Sequence, residues 1–403
     1  MKELLYISNN GIARNGRVSP FLQQEKKWLL RIFGRFLIIC DSGIYKCDAN
    51  GNISLFYKGR LLHCIKCVVK TLIDINVYKE LRHLINDKKF SLKNLVKIVK
   101  YAYDAASIYH YILHQNPSGK LLYSFWFSYD SYACAKIKES HPEIVAIARA
   151  HAYEVQINRN TCNPYLMKKY TCDHLDEIAF ISQNSLLSFF EYYRDYQSNI
   201  NIRYLGSTSE ETGFVERKQT DRFIILSCSS IVHVKRLDRL INVISNWNAL
   251  IPLHWIHIGD GMLAMEIKKT ASELLDSNPL VTYEFLGHLD NNRVHDVLKQ
   301  SSVNLFVNVS DSEGVPVSIM EAMSLGLPVV APKIFGIPEL VDDECGILYD
   351  AENPEHSLMN CLETFFTMSI DERNRMGRNA YNRWKKRFCL EDNLQCFFQQ
   401  YIE

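Results

Sequence analysis

Two carboxylates, Glu313 and Glu321, stand in a segment whose character changes twice. The apolar run 303–308 reads as a buried strand. A polar turn from Asn308 to Gly314 follows it, and Pro316 then suits the first helical position, where its missing N–H costs nothing. Gly326 and Pro328 close that helix. The amides from about Val315 to Ser318 therefore stand at a helix N-terminus, a ready site for a phosphate or another anion. A carboxylate in the turn, Glu313, can accept hydrogen bonds from sugar hydroxyls. Glu321 sits among Ile319, Met320, Ala322 and Met323, where an idle carboxylate is costly; from the helix it can hold a ribose diol. The competing reading makes Glu313 a helix cap and leaves Glu321 in solvent. A second glycine turn, with Gly336 and Pro338, opens another short helix and repeats the phosphate-binding arrangement.

Those turns need strands to hold them. Short apolar runs alternate with amphipathic stretches along most of the 403 residues. Expected strands are 3–8, 36–40, 53–57, 121–127, 144–148 and 177–181, then 222–228, 253–258, 282–286, 303–308, 328–331 and 346–349. Helical patterns lie between them, for example 92–115, 132–139, 183–193, 236–248, 262–276 and 291–300. Such alternation, with near-continuous apolar strands, predicts parallel sheets covered on both faces. Two series predict two doubly wound α/β domains, at 1–205 and 206–385, divided at the polar stretch Gly206–Gly213. A last helix, within 386–403, is expected to return toward the first domain. Two such domains suggest a ligand beyond the carboxyl ends of the strands, in a cleft they face.

Composition bounds the answer. Net charge is +1, yet residues 1–100 carry 19 Lys+Arg against 7 Asp+Glu. A basic first quarter interleaved with aromatics fits an anionic partner such as lipid headgroups or a pyrophosphate. No apolar run approaches the ~20 residues of a membrane-spanning helix. The opening residues read as a first strand rather than a signal peptide, and the 12 Cys as free thiols of a reducing compartment. Cys64 and Cys67 form a lone CxxC after His63, short of the four ligands of a structural zinc site. No DxD stands in a suitable turn, so neither metal nor cofactor is expected. No RNA- or DNA-reading motif accompanies the charge, and no GxGxxG follows a strand, which argues against a nicotinamide dehydrogenase.

At SEGVPVSIMEAMSLGLPVVAPKIFGIPEL the sequence resembles the retaining, nucleotide-sugar-dependent glycosyltransferases of family 4 (group 1), which have the GT-B fold. The likeness extends to the stretches Ile225–Asp238, Ile256–Gly261 and Phe285–Leu289. The first domain is similar to the branch that assembles capsular and extracellular polysaccharides, through Leu122–Phe127 and Ala148–Glu154. It implies that Glu313 contacts the transferred sugar and Glu321 the ribose. It implies that Lys235 neutralises the departing diphosphate, helped by backbone amides near Gly314, Val315 and Gly336. Gly287 and His288 would bracket the base. His151 would line the sugar pocket, and Arg149 would support it or reach an acceptor phosphate. By fold logic, Arg14 and Gly16 after the first strand lie on the acceptor side.

Where the family usually has an arginine five residues before the phosphate lysine, this chain has Ser230. One of two phosphate cations is missing unless Arg236 or Arg239 reaches in. The expected activity is hexosyl transfer with retention from a UDP- or GDP-sugar to a glycan or undecaprenyl-diphosphate-linked acceptor, in surface polysaccharide biosynthesis. The expected place is the cytoplasm, peripheral at the inner leaflet, with a stretch such as 21–36 on the headgroups. The alternatives are a weak or inactive homologue acting as a binding scaffold and a nucleotide-sugar epimerase. Nucleic acid is not an expected partner.

Overall fold

The computed structural model describes residues 3–402 apart from 14, 60, 156–163, 195, 197, 198 and 209–212. The chain divides into two compact units, Met1–Tyr204 with Glu391–Glu403, and Leu205–Leu390.

The first unit contains strands β1 (Glu3–Ile7), β2 (Phe36–Cys40), β3 (Gly43–Cys47), β4 (Ile53–Tyr57), β5 (Lys120–Ser124), β6 (Val145–Ala150), β7 (Glu177–Phe180) and β8 (Ile200–Ile202). Its helices are α1 (Pro20–Phe33), α2 (Leu61–Ile73), α3 (Ile75–Asn86), α4 (Leu92–His114), α5 (Tyr129–Ser140), α6 (Ala152–Val155), α7 (Tyr165–His174) and α8 (Gln183–Phe190). The sheet order is β4-β3-β2-β1-β5-β6-β7-β8. It is parallel except at one edge, where β3 runs antiparallel to both β2 and β4. This corrects the expectation of a wholly parallel sheet. Only Asp41 and Ser42 separate β2 from β3, too short a link for a crossover helix. The order reverses between β1 and β5, and their carboxyl ends form the switch point of this unit.

Helix α1 does not offer 21–36 to a membrane. It turns Leu22, Leu29 and Phe33 inward, and β2 begins at Phe36. The last helix, Leu390–Ile402, closes the same unit: Phe398 meets Phe33 edge-on at 5.3 Å and Tyr123 at 5.1 Å.

The second unit contains β9 (Phe223–Cys228), β10 (Leu253–Ile258), β11 (Val281–Gly287), β12 (Leu305–Val307), β13 (Val329–Pro332) and β14 (Gly346–Tyr349). Its helices are α9 (Leu237–Ser245), α10 (Ala264–Leu275), α11 (Asn291–Leu298), α12 (Val317–Ser324), α13 (Ile337–Leu340), α14 (Pro354–Thr367) and α15 (Ile370–Arg387); the closing helix of the first unit is α16. All pairs are parallel, in the order β11-β10-β9-β12-β13-β14. This is the doubly wound order of nucleotide-binding sheets, and the winding reverses between β9 and β12. Val, Ile, Leu and Trp from both faces fill the core, with Trp247 and Trp255 fully buried.

Candidate functional site

The turns after β9, β12 and β13 are tied together. After β9 the chain leaves the sheet through Ser229, whose N–H reaches the Ile258 carbonyl at 3.0 Å. A single turn of 3-10 helix, His233–Lys235, ends at Arg236 in the left-handed region, φ 47°. The Asp311 N–H, after β12, donates to the Val234 carbonyl at 2.9 Å. A Cβ built on Gly336, after β13, would lie 2.1 Å from the Gly314 carbonyl oxygen. Only a glycine lets those two backbones meet so closely.

This lock brings Lys235 to Glu313. Lys235 Nζ donates to Glu313 Oε1 at 2.5 Å, and Asn308 Nδ2 reaches the same oxygen at 3.4 Å. Glu313 is buried. An ammonium and a carboxylate from two different strand ends thus meet over the switch point. Gly314 and the buried Val315 continue the turn. Pro316 is the N-cap of α12, one position before the first helical residue, which corrects the expected placement. The first turn of α12 begins at Val317 and faces the same problem of amides without helical partners.

Glu321 is buried on α12 rather than turned to solvent. Burial pushes its carboxyl up to about 7. Cys228, the last residue of β9, feels both site charges. Burial pushes its thiol up to about 12, Glu321 adds to the rise and Lys235 opposes it. The carboxylate of α12 and the ammonium after β9 therefore share one small neighbourhood.

Ser230 is exposed in the turn after β9. Neither arginine compensates for it in this arrangement. Arg239 donates to the Val309 carbonyl at 3.0 Å and to Asp311 at 2.6 Å. Arg236 holds Asp311 at 3.0 Å and Asp238 at 2.9 Å. Burial pushes Asp311 up, but the two guanidinium groups outweigh it and hold the carboxyl below its usual range. Asp311 was not singled out from the sequence, although it lies in the turn that was. Gly287 ends β11 at φ 68°, and His288 beyond it is exposed.

In the first unit, His151 follows β6 and is buried, packed on Trp126 at 4.5 Å and Phe125 at 4.9 Å. Its Nε2 lies 3.0 Å from the Phe125 carbonyl, so Nε2 carries the proton and Nδ1 is the acceptor. Burial, with Arg149 beside it, lowers its pKa to about 3. The imidazole is neutral throughout the physiological range. Arg149 is 1% exposed and pairs with Glu25 at 2.9 Å. Its guanidinium is directed into the core rather than to a surface. Gly16 is exposed at φ 82°, and Arg14 lies outside the described residues.

The switch point of this unit also carries a cavity of about 370 Å³, lined by Asn9, Asn10, Lys97, Lys100, Trp126 and Tyr129 among others. Asp130 braces it, accepting from the Asn9 N–H at 2.7 Å and from Ser128 Oγ at 2.8 Å. Burial pushes Asp130 up to about 7. The sequence offered no sign that this aspartate joins two strand ends 121 residues apart. Among the described residues, no group of three or more His, Cys, Asp or Glu is placed to hold a metal ion.

Residues 208–383 match the family model described as glycosyl transferases group 1. A phosphatidylinositol N-acetylglucosaminyltransferase polypeptide of Arabidopsis thaliana is 27% identical over 180 residues, covering 44% of this chain and 37% of that protein. The O-antigen biosynthesis glycosyltransferase WbnH of Escherichia coli is 30% identical over 146 residues, covering 36% of this chain and 38% of that protein. The chain thus spans less than two-fifths of the length of either relative. Among solved structures, Anabaena Alr3699/HepE in complex with UDP superposes with a TM-score of 0.66 at 13% identity, covering 99% of each chain. That likeness shows the fold: two Rossmann-like α/β units of the GT-B type.

The contact at Gly336 carries a prediction. Gly336→Ala is expected to destabilise the protein by ~1–3 kcal/mol, the usual cost of overpacking, and to weaken any nucleotide-induced stabilisation. Thermal melts with and without nucleotide check both. An unchanged melt would mean that the Gly314 turn yields freely.

Proposed function

We propose that this chain is a retaining glycosyltransferase of family 4, moving a hexosyl group from a UDP- or GDP-sugar to a lipid-linked saccharide in surface polysaccharide biosynthesis. The observation that carries the reading is the Lys235–Glu313 pair at the switch point of a doubly wound sheet, inside the segment matching group 1 glycosyl transferases. The relative named for O-antigen biosynthesis supports the acceptor class, and the fold neighbour holding UDP supports the donor class.

In this reading the bond between the anomeric carbon and the diphosphate breaks through an oxocarbenium-like state. Charge builds on the departing diphosphate, where Lys235 and the first amides of α12 stabilise it. Glu313 accepts from hydroxyls of the sugar, and Glu321 accepts from the ribose diol. The acceptor hydroxyl attacks from the same face as the leaving group, and the diphosphate takes its proton. The anomeric configuration is then retained, and a product of inverted configuration rejects this step. The chemistry calls for no divalent cation. The cavity at the ends of β1 and β5 is the proposed seat of the acceptor's polar end.

The test is a set of thermal melts with UDP, GDP and ADP, each with EDTA, for wild type and Glu321→Ala. A ligand at 100 times its Kd stabilises by about 2.7 kcal/mol. One nucleotide is expected to shift the wild type, and the variant to lose the shift. A ribose hydroxyl donates to the ionised carboxylate, so binding expels the proton that Glu321 carries below about 7. Affinity should therefore rise with pH and be about tenfold weaker a unit below that point than well above it. The free protein moves the other way. A carboxyl raised from 4.5 adds stability below 4.5 that is lost as pH rises through about 7.

A second reading has its own observation. With Ser230 in place of arginine and both nearby arginines committed to Asp311, the chain fits a binding scaffold with little turnover. Nucleotide-induced stabilisation without transfer to any acceptor would favour it.

A further inference from the structure

Helix α2 is inside out. It buries Cys67 and Thr71 and leaves Leu61, Leu62, Ile65, Val69, Leu72 and Ile73 exposed. Leu62, Ile65, Val69 and Leu72 recur at helical spacing, so one apolar stripe faces solvent. Helix α4, which packs against α2, carries further exposed apolar residues, Leu92, Val96 and Val99. Phe56 on β4 and Phe90 before α4 are also half exposed or more. Scattered surface leucines need no explanation, but a continuous apolar face of several helical turns marks an interaction surface.

Its charge selects the occupant. Residues 53–100 hold 11 Lys+Arg and 3 Asp+Glu. Two of those three acids are used inside the unit. Asp74 pairs with Lys136 at 3.3 Å with its side chain almost wholly covered. Glu80 accepts the N–H groups of Tyr165, Leu166 and Met167. Asp87 remains at the surface beside His83 and Lys89. Lys58, Lys66, Lys88 and Lys93, on and around α2 and α4 in the chain, are exposed with little in this segment to offset them. A second copy would set this positive face against itself. Among the described residues no helix is long and apolar enough to cross a membrane. An apolar stripe in a lysine-rich segment suits a helix lying in the plane of an interface.

We propose that the α2–α4 face seats the protein on an anionic lipid bilayer, with the α2 stripe among the acyl chains and the lysines at the headgroups. This deepens the reading of a lipid-linked acceptor and rests on it for its purpose. Binding to vesicles needs neither donor nor acceptor, so it stands or fails apart from transfer activity.

The experiment is flotation of the full chain, without nucleotide, with vesicles of phosphatidylcholine alone or mixed with phosphatidylglycerol. The wild type should bind the mixed vesicles at least ~tenfold better, and high salt should reduce that binding. Leu62→Asp combined with Leu72→Asp should lower it ~tenfold or more while the thermal melt stays unchanged. If that variant misfolds, Leu62→Gln alone serves, with a smaller loss expected. Lys66→Glu with Lys93→Glu should remove the preference for phosphatidylglycerol. Equal binding by wild type and the apolar-face variants would overturn the proposal, as would no binding at all. A dimer in sedimentation that the same variants dissociate would overturn it in favour of a second copy.

Discussion

Lys235→Ala is expected to lower kcat by about 10²–10³, with a smaller change in KM, since removing one preorganised group that faces developing negative charge costs that much. The geometry makes the dependence steep. Arg236 and Arg239 both grip Asp311, and Ser230 supplies no charge, so neither arginine stands ready to replace the lost ammonium. The substitution also leaves Glu313, a buried carboxylate, without its 2.5 Å partner. Asn308 Nδ2, at 3.4 Å, still reaches the same oxygen. Ser230→Arg in the wild-type background measures the same effect from the other side. If a second cation is missing, adding one raises kcat by about tenfold or more. The assay is steady-state transfer with the nucleotide sugar chosen by the melts. A loss below tenfold in Lys235→Ala would mean that the ammonium serves mainly to hold Glu313 in place.

How far the sequence carried the reading varies from element to element. The second sheet was legible because its strands are buried on both faces and read as short apolar runs. Five of its six strand positions, from 222–228 to 346–349, lie within one residue of the observed ends, and β12 is shorter than 303–308. Glu313 stood out as a candidate from its turn, and Lys235 from the resemblance of Ile225–Asp238. Their pairing was not written in either turn, since it depends on β9 and β12 being neighbours at the switch point. Strand β3 escaped because Gly43–Cys47 is five residues of mixed character after a two-residue link. The stretch 21–36 misled because an amphipathic helix shows that it has an apolar face, not what covers it. In α1 the face is covered by the core, and in α2 it is left bare. Asp311 and Asp130 escaped for one reason: a carboxylate in a turn takes its meaning from partners brought by the fold, and those partners lie up to 121 residues away.

Arg149 is the sharpest instance, and it carries the largest expected effect on stability. Beyond its pairing with Glu25, it sits over the rings of Tyr123 at 5.7 Å and Phe397 at 5.3 Å. One guanidinium thus joins β6, α1 and α16. Removing one partner of a buried ion pair costs about 3–5 kcal/mol, because the other charge is left stranded. Arg149→Met keeps much of the volume and should cost that amount at pH 8. The cost should shrink at low pH. Burial already pushes Glu25 up to about 6 against the pull of Arg149. Without the arginine its carboxyl rises further and holds a proton in the folded state. A raised carboxyl adds stability at low pH that is lost as pH climbs through the folded-state value, so the variant should come closest to wild type near pH 5. Glu25→Gln added to Arg149→Met should restore most of the loss at pH 8. Urea melts at pH 5 and pH 8 check all three statements. A role at an acceptor phosphate predicts the reverse pattern, with transfer lost and the melt unmoved. A cost under ~1 kcal/mol at pH 8 would show that the pair does not brace the sheet.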